Sequence, residues 1–280
     1  MYQDSLLYPR PAWVIPALAC LERHEFLAAQ QIARRFNLAE EDVVAVLDAL
    51  AGDGLLRRLQ PDGPANKGSR PPIYALTSRA AALLSTAGHA TPSSVPTLRR
   101  TLGHLAHEAE RADLGLLLER LDEGGIIRLR RFETRAAAIG DATLVLVRGY
   151  LRRVPLVADA FAVIEVAGRV SALLVELDRG TISMRRMRLK LAGYYNWWRT
   201  GGPARRFGIE ALRVLVLCPD GARLRALHAA AVEGAALRGS RFLWVAPAAR
   251  YGPQDPEALF EPHAFPAVRG APPEALYRGP

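Results

Sequence analysis

Residues 154–198 read VPLVADAFAVIEVAGRVSALLVELDRGTISMRRMRLKLAGYYNWW. Two apolar runs, 156–166 and 170–178, flank the triplet Ala167-Gly168-Arg169 and predict the two strands of a hairpin. Side chains alternate across a strand, so Glu176 and Asp178 share one face. A paired strand can carry Asp159 to the same sheet edge. Three converging carboxylates repel one another unless a cation lies between them, and hard oxygen ligands suit Mg²⁺ or Mn²⁺. The alternative is a set of strand-end acids ion-paired with Arg179, Arg185 or Arg186. Glu165 faces away from Glu176 in a simple hairpin register.

A helix follows from about Ile182 to Arg199, with Thr181 as its expected N-cap and Ser183 as the second choice. Arg185, Arg186, Arg188 and Lys190 make its first half basic. Tyr194, Tyr195, Trp197 and Trp198 make its second half aromatic; that spacing divides them between core and surface, with base stacking as the other use. Strand 212–217, a helix over 221–236 and strand 242–246 continue an alternating α/β pattern. Upstream, LRRTLGHLAHEAERADLGLLLERLDEGG predicts a long helix, and IIRLRRFETR and DATLVLVRGY predict strands. His104 and His107 are three apart on that helix but have no third ligand at a suitable spacing, so packing or solvent exposure is their expected role. The α/β domain is therefore placed at 98–250, after the polar linker 88–97 and before a Pro-rich C-terminal tail, 251–280, of no clear regular structure.

The first ninety residues follow another plan. Helical patterns cover Val14–Cys20 and Leu27–Phe36. A third helix opens on Glu40, Glu41 and Asp42, puts Val43, Val46, Leu47 and Leu50 on one face, and closes at Gly52 and Gly54. The strand LLRRL, the polar loop QPDGPANKGSRPP and the strand IYALT complete a winged helix-turn-helix domain, 1–90. The runs ARRFNL, VLDALAGDGLLRR and PPIYALT resemble the winged helix of many bacterial DNA-binding proteins. That resemblance implies a third helix in the major groove, with Lys67 and Arg70 on the flanking loop and Arg57 and Arg58 at phosphates. The third helix also carries Asp48 and Asp53 and no basic residue, and such a face is repelled by DNA. Dimerisation or contact with another protein is therefore the alternative role.

Charge supports a polyanionic partner. The 280 residues carry a formal charge of +9. The first ninety residues balance, whereas 151–210 hold a surplus of basic side chains. The basic residues are nearly all arginine, with Lys67 and Lys190 the two lysines; an arginine fork matches phosphate geometry, and a GC-rich genome gives the same bias. No apolar run approaches the roughly 20 residues that span a bilayer, and the first residues do not form a secretory signal. Cys20 and Cys218 are expected to be buried and reduced, as in a cytoplasmic protein.

The order of helix, antiparallel strands bearing D…ExD, helix, strand, helix and strand resembles the PD-(D/E)XK nuclease superfamily. That resemblance implies that Asp159 and Glu176 are the metal-binding acids. Asp178 stands where the superfamily usually has lysine, and Lys190 on the next helix is the candidate replacement. Over residues 14–250 the chain also resembles the replication-relaxation family of bacterial plasmids and mobile elements. PIYALT, LGHLAHEAE, DAF, VELDRGT, KLAGYYNWW, RVLVLCP and RLRALHAAA carry that likeness.

The expectation is an α+β protein in which a winged helix precedes a nuclease-like α/β domain. Asp159, Glu176, Asp178 and Lys190 are its catalytic residues. The first three hold Mg²⁺ or Mn²⁺, and Arg185 and Arg186 join the DNA contacts. DNA is the main partner, with replication or transfer proteins and a homodimer as further candidates and no membrane. A non-enzymatic DNA-binding regulator and a protein-protein adaptor are the competing functions.

Overall fold

A computed structural model describes residues 10–60, 71–86, 102–134, 141–235 and 241–279. The chain is a mixed α+β protein of two compact units that divide between Leu116 and Leu117.

In the first unit, helix α1 (Val14–His24) and the short strand β1 (Leu27–Ala28) precede helices α2 (Ala29–Phe36) and α3 (Glu40–Gly52), then strands β2 (Leu56–Leu59) and β3 (Ile73–Leu76) and helix α4 (Ser78–Thr86). The strands form one antiparallel sheet in the order β1-β3-β2. Helix α2 stops where Asn37 turns into the left-handed conformation, which asparagine tolerates better than most residues. Helix α3 buries Val43, Leu47 and Leu50 and starts on three acids, whose charges favour its N-terminal dipole end.

All four residues of β3 are buried because both sheet faces are covered. Tyr74 and Leu76 join the helical core with Leu18, Leu47 and Leu50. Ile73 and Ala75 pack in a second cluster with Leu105 and Ala109, which belong to α5 (Leu102–Glu123). The expected start of the second domain at residue 98 is corrected accordingly: the first part of α5 builds the core of the first unit. Gln31 fastens it there. Its side-chain amide donates to Ala109 O at 2.6 Å and to Asp113 Oδ1 at 2.9 Å, while its oxygen accepts from Ala28 N.

The second unit is built on a six-stranded sheet in the order β11-β10-β9-β8-β7-β4. Its strands are β4 (Arg128–Glu133), β7 (Ala160–Val166), β8 (Arg169–Leu177), β9 (Leu212–Cys218), β10 (Leu243–Pro247) and β11 (Phe265–Pro266). β8, β9 and β10 run parallel; β4, β7 and β11 are antiparallel to their neighbours. A separate hairpin, β5 (Asp141–Val147) with β6 (Tyr150–Leu156), stands beside this sheet. Helices α6 (Met184–Arg199) and α8 (Ala222–Ala235) flank β9, with the short α7 (Gly202–Phe207) after α6. Met187, Leu191, Tyr194 and Trp197 of α6 and Leu224 and Leu227 of α8 share one core with Phe161, Leu174, Val214 and Val245 of the sheet.

Two sequence expectations change. The run 156–166 is not one strand: β6 ends at Leu156 against β5, and β7 begins at Ala160 against β8, so the chain changes partners across Val157–Asp159. The Pro-rich tail is built into the fold. It supplies β11 as the edge strand, and Tyr251, Leu259, Leu276 and Tyr277 are buried. The signal there was aromatic and aliphatic residues among prolines, without a period.

Asp113 gives the first unit a pH signature. Burial pushes its carboxyl up to about 6, against the hydrogen bond from Gln31. A carboxyl raised above its unfolded value stabilises the fold at low pH, and that contribution is lost as pH rises towards 6. Asp113→Asn keeps an acceptor for Gln31 without a charge. Its melting temperature should therefore match wild type at pH 4 and exceed it at pH 8, by at most about 3 kcal/mol of stability.

Candidate functional site

The β7–β8 register fixes the first two acids. Ala160 pairs with Val175 and Phe161 with Leu174, and one step further sets Asp159 opposite Glu176. Asp159 N donates to Val175 O, and its carboxylate accepts from Leu177 N at 2.8 Å. Both side chains lie on the face that α6 covers, at the carboxyl end of β8.

Helix α6 supplies the other half. Lys190 and Tyr194 are four apart, hence on one helical face, and both reach Glu176. Lys190 Nζ donates to Oε2 and Tyr194 Oη to Oε1. Glu176 is 2% exposed; a carboxylate at such depth is tolerable only with charge or hydrogen-bond partners. Burial pushes it up to about 7, with the Asp159 charge adding to the rise and the Lys190 cation opposing it. Burial and the same carboxylate hold the Tyr194 hydroxyl well above its ordinary value, so it stays a donor.

Asp178 takes another course. Its carboxylate forks with Arg223 of α8, Oδ2 to Nε at 2.5 Å and Oδ1 to Nη2 at 2.8 Å. Arg223 also donates to Ile182 O at 2.7 Å, tying the α6 approach to α8. The ion-pair partner of Asp178 is thus Arg223; nothing local marks Arg223, because α8 brings it across 45 residues. Asp159, Glu176 and Asp178 do not form a three-ligand cluster. Among the described residues one such cluster lies within 4.8 Å, of Asp255, Glu261 and His263.

Other expectations resolve as follows. The N-cap of α6 is Ser183, which accepts from Arg186 N, and not Thr181, because the helix starts at Met184. Glu165 shares the Glu176 face by register but sits at the far end of β7, held by Arg130 at 2.7 Å. The aromatic run splits: Tyr194 and Trp197 are buried, whereas Trp198 stacks on Phe242 at 4.8 Å. His107 belongs to no metal cluster among the described residues. Cys20 and Cys218 are buried, and neither is in a disulfide. In the first unit Arg58 is paired with Asp48 at 2.9 Å, and Tyr74 donates to the same oxygen; Arg57 is half-buried on β2. Lys67, Arg70 and the linker 88–97 lie outside the described residues.

A groove of about 1190 Å³ runs between the β5–β6 hairpin and α6. Arg148 and Arg152 line its hairpin wall, and Arg185, Arg186, Arg188 and Lys190 its helix wall. Among the described lining residues no side chain is acidic, so the groove focuses positive potential. Lys190 both lines it and touches Glu176, which joins the groove to the acid pair. Arg148 and Arg152 were not singled out in the sequence; their signal was an arginine-rich run around a Gly turn.

A sequence model described as replication-relaxation matches residues 18–210, more than half of the chain. The chain belongs to the replication-relaxation family. The match covers the Asp159–Glu176 hairpin, Lys190 and both groove walls, whereas Arg223 lies beyond it. No curated protein and no solved structure matches the chain. Among the described residues no helix is long and apolar enough to cross a membrane.

The Asp178–Arg223 pair should prove structural. Asp178 has a side chain of 0% exposure, so Arg223→Ala leaves a buried charge without its partner and should cost about 3 kcal/mol in urea unfolding. The Asp178→Ala/Arg223→Ala double variant should be less destabilised than the sum of the single ones.

Proposed function

We propose that this replication-relaxation protein binds DNA and acts in plasmid or mobile-element replication or transfer, its second unit being a metal-dependent DNA nuclease of PD-(D/E)XK type. The observation that carries this reading is the arginine-lined groove whose one lysine, Lys190, bonds to Glu176 at a strand end, opposite Asp159 in the β7–β8 register. In the same reading the first unit is a winged helix-turn-helix, as the order of its three helices and the β2–β3 hairpin supports.

Asp159 and Glu176 would hold Mg²⁺ or Mn²⁺. The donor set fits: two carboxylates face each other across paired strands, and each oxygen can accept more than one bond. Asp178 was expected as a third ligand; with both oxygens on Arg223, it acts in this reading as the anchor of the α6–α8 junction. A bound cation would supply a Lewis acid and a water of lowered pKa for phosphodiester hydrolysis. The chain's own residues do the rest. Tyr194 fixes the orientation of Glu176, Lys190 places a positive charge where the phosphate gains negative charge, and Arg185 and Arg186 hold the backbone on either side.

A non-enzymatic regulator is the second reading. It is favoured by one observation: both oxygens of Glu176 are already engaged, by Lys190 and Tyr194. Supercoiled plasmid and linear duplex with Mg²⁺, Mn²⁺ or EDTA decide between them. Metal-dependent nicking or cutting that Asp159→Ala/Glu176→Ala abolishes makes the protein a nuclease; binding without cleavage, unchanged in that variant, makes it a regulator.

The groove makes a separate prediction. Binding should weaken steeply with salt, and Arg185→Ala and Arg186→Ala should each lower the slope of log K against log salt by about 1. A slope near zero in wild type would favour the protein-protein adaptor instead.

A further inference from the structure

The β5–β6 hairpin is held to α6 by one face only. Directly paired residues share a face, and the pairs Asp141–Leu156 and Thr143–Val154 face the helix. Asn196 donates to Thr143 Oγ1 and Leu144 O, and Trp197 Nε1 to Asp141 Oδ2 at 2.6 Å. Gly193 allows the close approach: a Cβ there would stand 3.0 Å from Val154 and Leu156.

The other face carries Leu144–Arg153 and Leu146–Leu151. Leu144 is 53% exposed and Leu146 and Leu151 are each 68%; Tyr150, which pairs with Val147 and so belongs to the opposite face, stands beside the turn and is 80% exposed. These are among the most exposed large apolar side chains described, and they stand together on one ribbon, which marks an interaction surface. Three arginines surround them. Arg148 occupies the two-residue turn with Gly149, both at positive φ, and Arg152 and Arg153 follow on β6. All three are exposed, and the one acid of the hairpin, Asp141, is at its base under Trp197.

This charge pattern selects the occupant. A second copy of the chain would bring arginines against arginines around the apolar contact, which opposes association. Duplex DNA reverses that balance, with anionic backbones outside and stacked apolar base faces inside. Continuity points the same way, since Arg148 and Arg152 already form one wall of the basic groove.

We propose that the β5–β6 hairpin is a wedge: Leu146, Tyr150 and Leu151 near its tip insert into the base stack of a duplex that runs from the groove across the end of the hairpin, while Arg148, Arg152 and Arg153 grip the flanking phosphates. Apolar side chains on DNA-bound elements unstack base steps in this manner. The inference rests on the reading of the groove as a DNA site and adds to it a distortion of the DNA beside the acid pair.

The test uses the full chain in EDTA, where no metal-dependent cleavage occurs, with a duplex containing 2-aminopurine. Saturating wild-type protein should raise the 2-aminopurine fluorescence. Leu146→Ser/Leu151→Ser and, separately, Tyr150→Ala should keep salt-dependent binding, measured by anisotropy, and lose most of that rise. The exposure of all three residues keeps these variants folded, which circular dichroism checks. Asp159→Ala/Glu176→Ala should retain the rise. Wild-type binding without a rise, or a rise that the hairpin variants keep, overturns the wedge and leaves the groove standing. Absence of any wild-type binding overturns both. A wild-type dimer that the same variants dissociate, with the rise unchanged, assigns the face to a second copy and overturns the wedge.

Discussion

Glu176 is the residue around which the second unit is arranged. A carboxylate at the end of a central strand, beneath a helix, is costly unless its partners come with it. Lys190 and Tyr194 meet that demand from one face of α6, so the helix cannot slide or rotate without uncovering a buried charge. The same contacts fix the end of the basic half of α6 over the carboxyl end of β8, and the hairpin β5–β6 then docks on the adjoining flank of the helix through Gly193, Asn196 and Trp197. The groove is thus a consequence of satisfying one glutamate.

The two acids of the E-x-D sequence illustrate how depth decides role. Both are 2% exposed, and both are two residues apart on one strand face. Glu176 meets a lysine, whose compact ammonium leaves carboxylate lone pairs open, and a neutral hydroxyl. Asp178 meets a guanidinium that takes both oxygens in a planar fork, an arrangement with little room for another ligand. The pair with Arg223 therefore suits a brace between α6 and α8, and the pair with Lys190 suits a position where charge changes.

Much of this was legible in the sequence, for stated reasons. The hairpin showed itself through two apolar runs around Ala167-Gly168, and the register of a two-residue turn then dictates that Asp159 faces Glu176. Lys190 was legible as a cation on the following helix, and Tyr194 could have been added by its spacing of four. The partner of Asp178 was not legible, because Arg223 arrives through tertiary packing on α8. Nor was the break at Val157–Asp159, where apolar character is continuous but the strand partners change. The tail failed for a related reason: residues that bury singly among prolines, such as Tyr251 and Tyr277, leave no period to read.

The acidic third helix of the first unit takes on a different meaning once its contacts are known. Asp48 accepts from both Tyr74 and Arg58, and Asp53 pairs with Arg10 at 2.8 Å. These two acids are internal fasteners between α3, the strand pair and the chain before α1, and their charge is largely met. Glu40, Glu41 and Asp42 remain, all in the first turn, where they complement the helix dipole whatever the partner. Counting five acids along the helix overstates the repulsion of DNA, but the three that remain sit at the end of the helix that would enter a groove. If the protein binds DNA as proposed, the charge balance of the chain puts the electrostatic attraction on the second unit, between α6 and the β5–β6 hairpin, and leaves the first unit to contribute shape rather than charge.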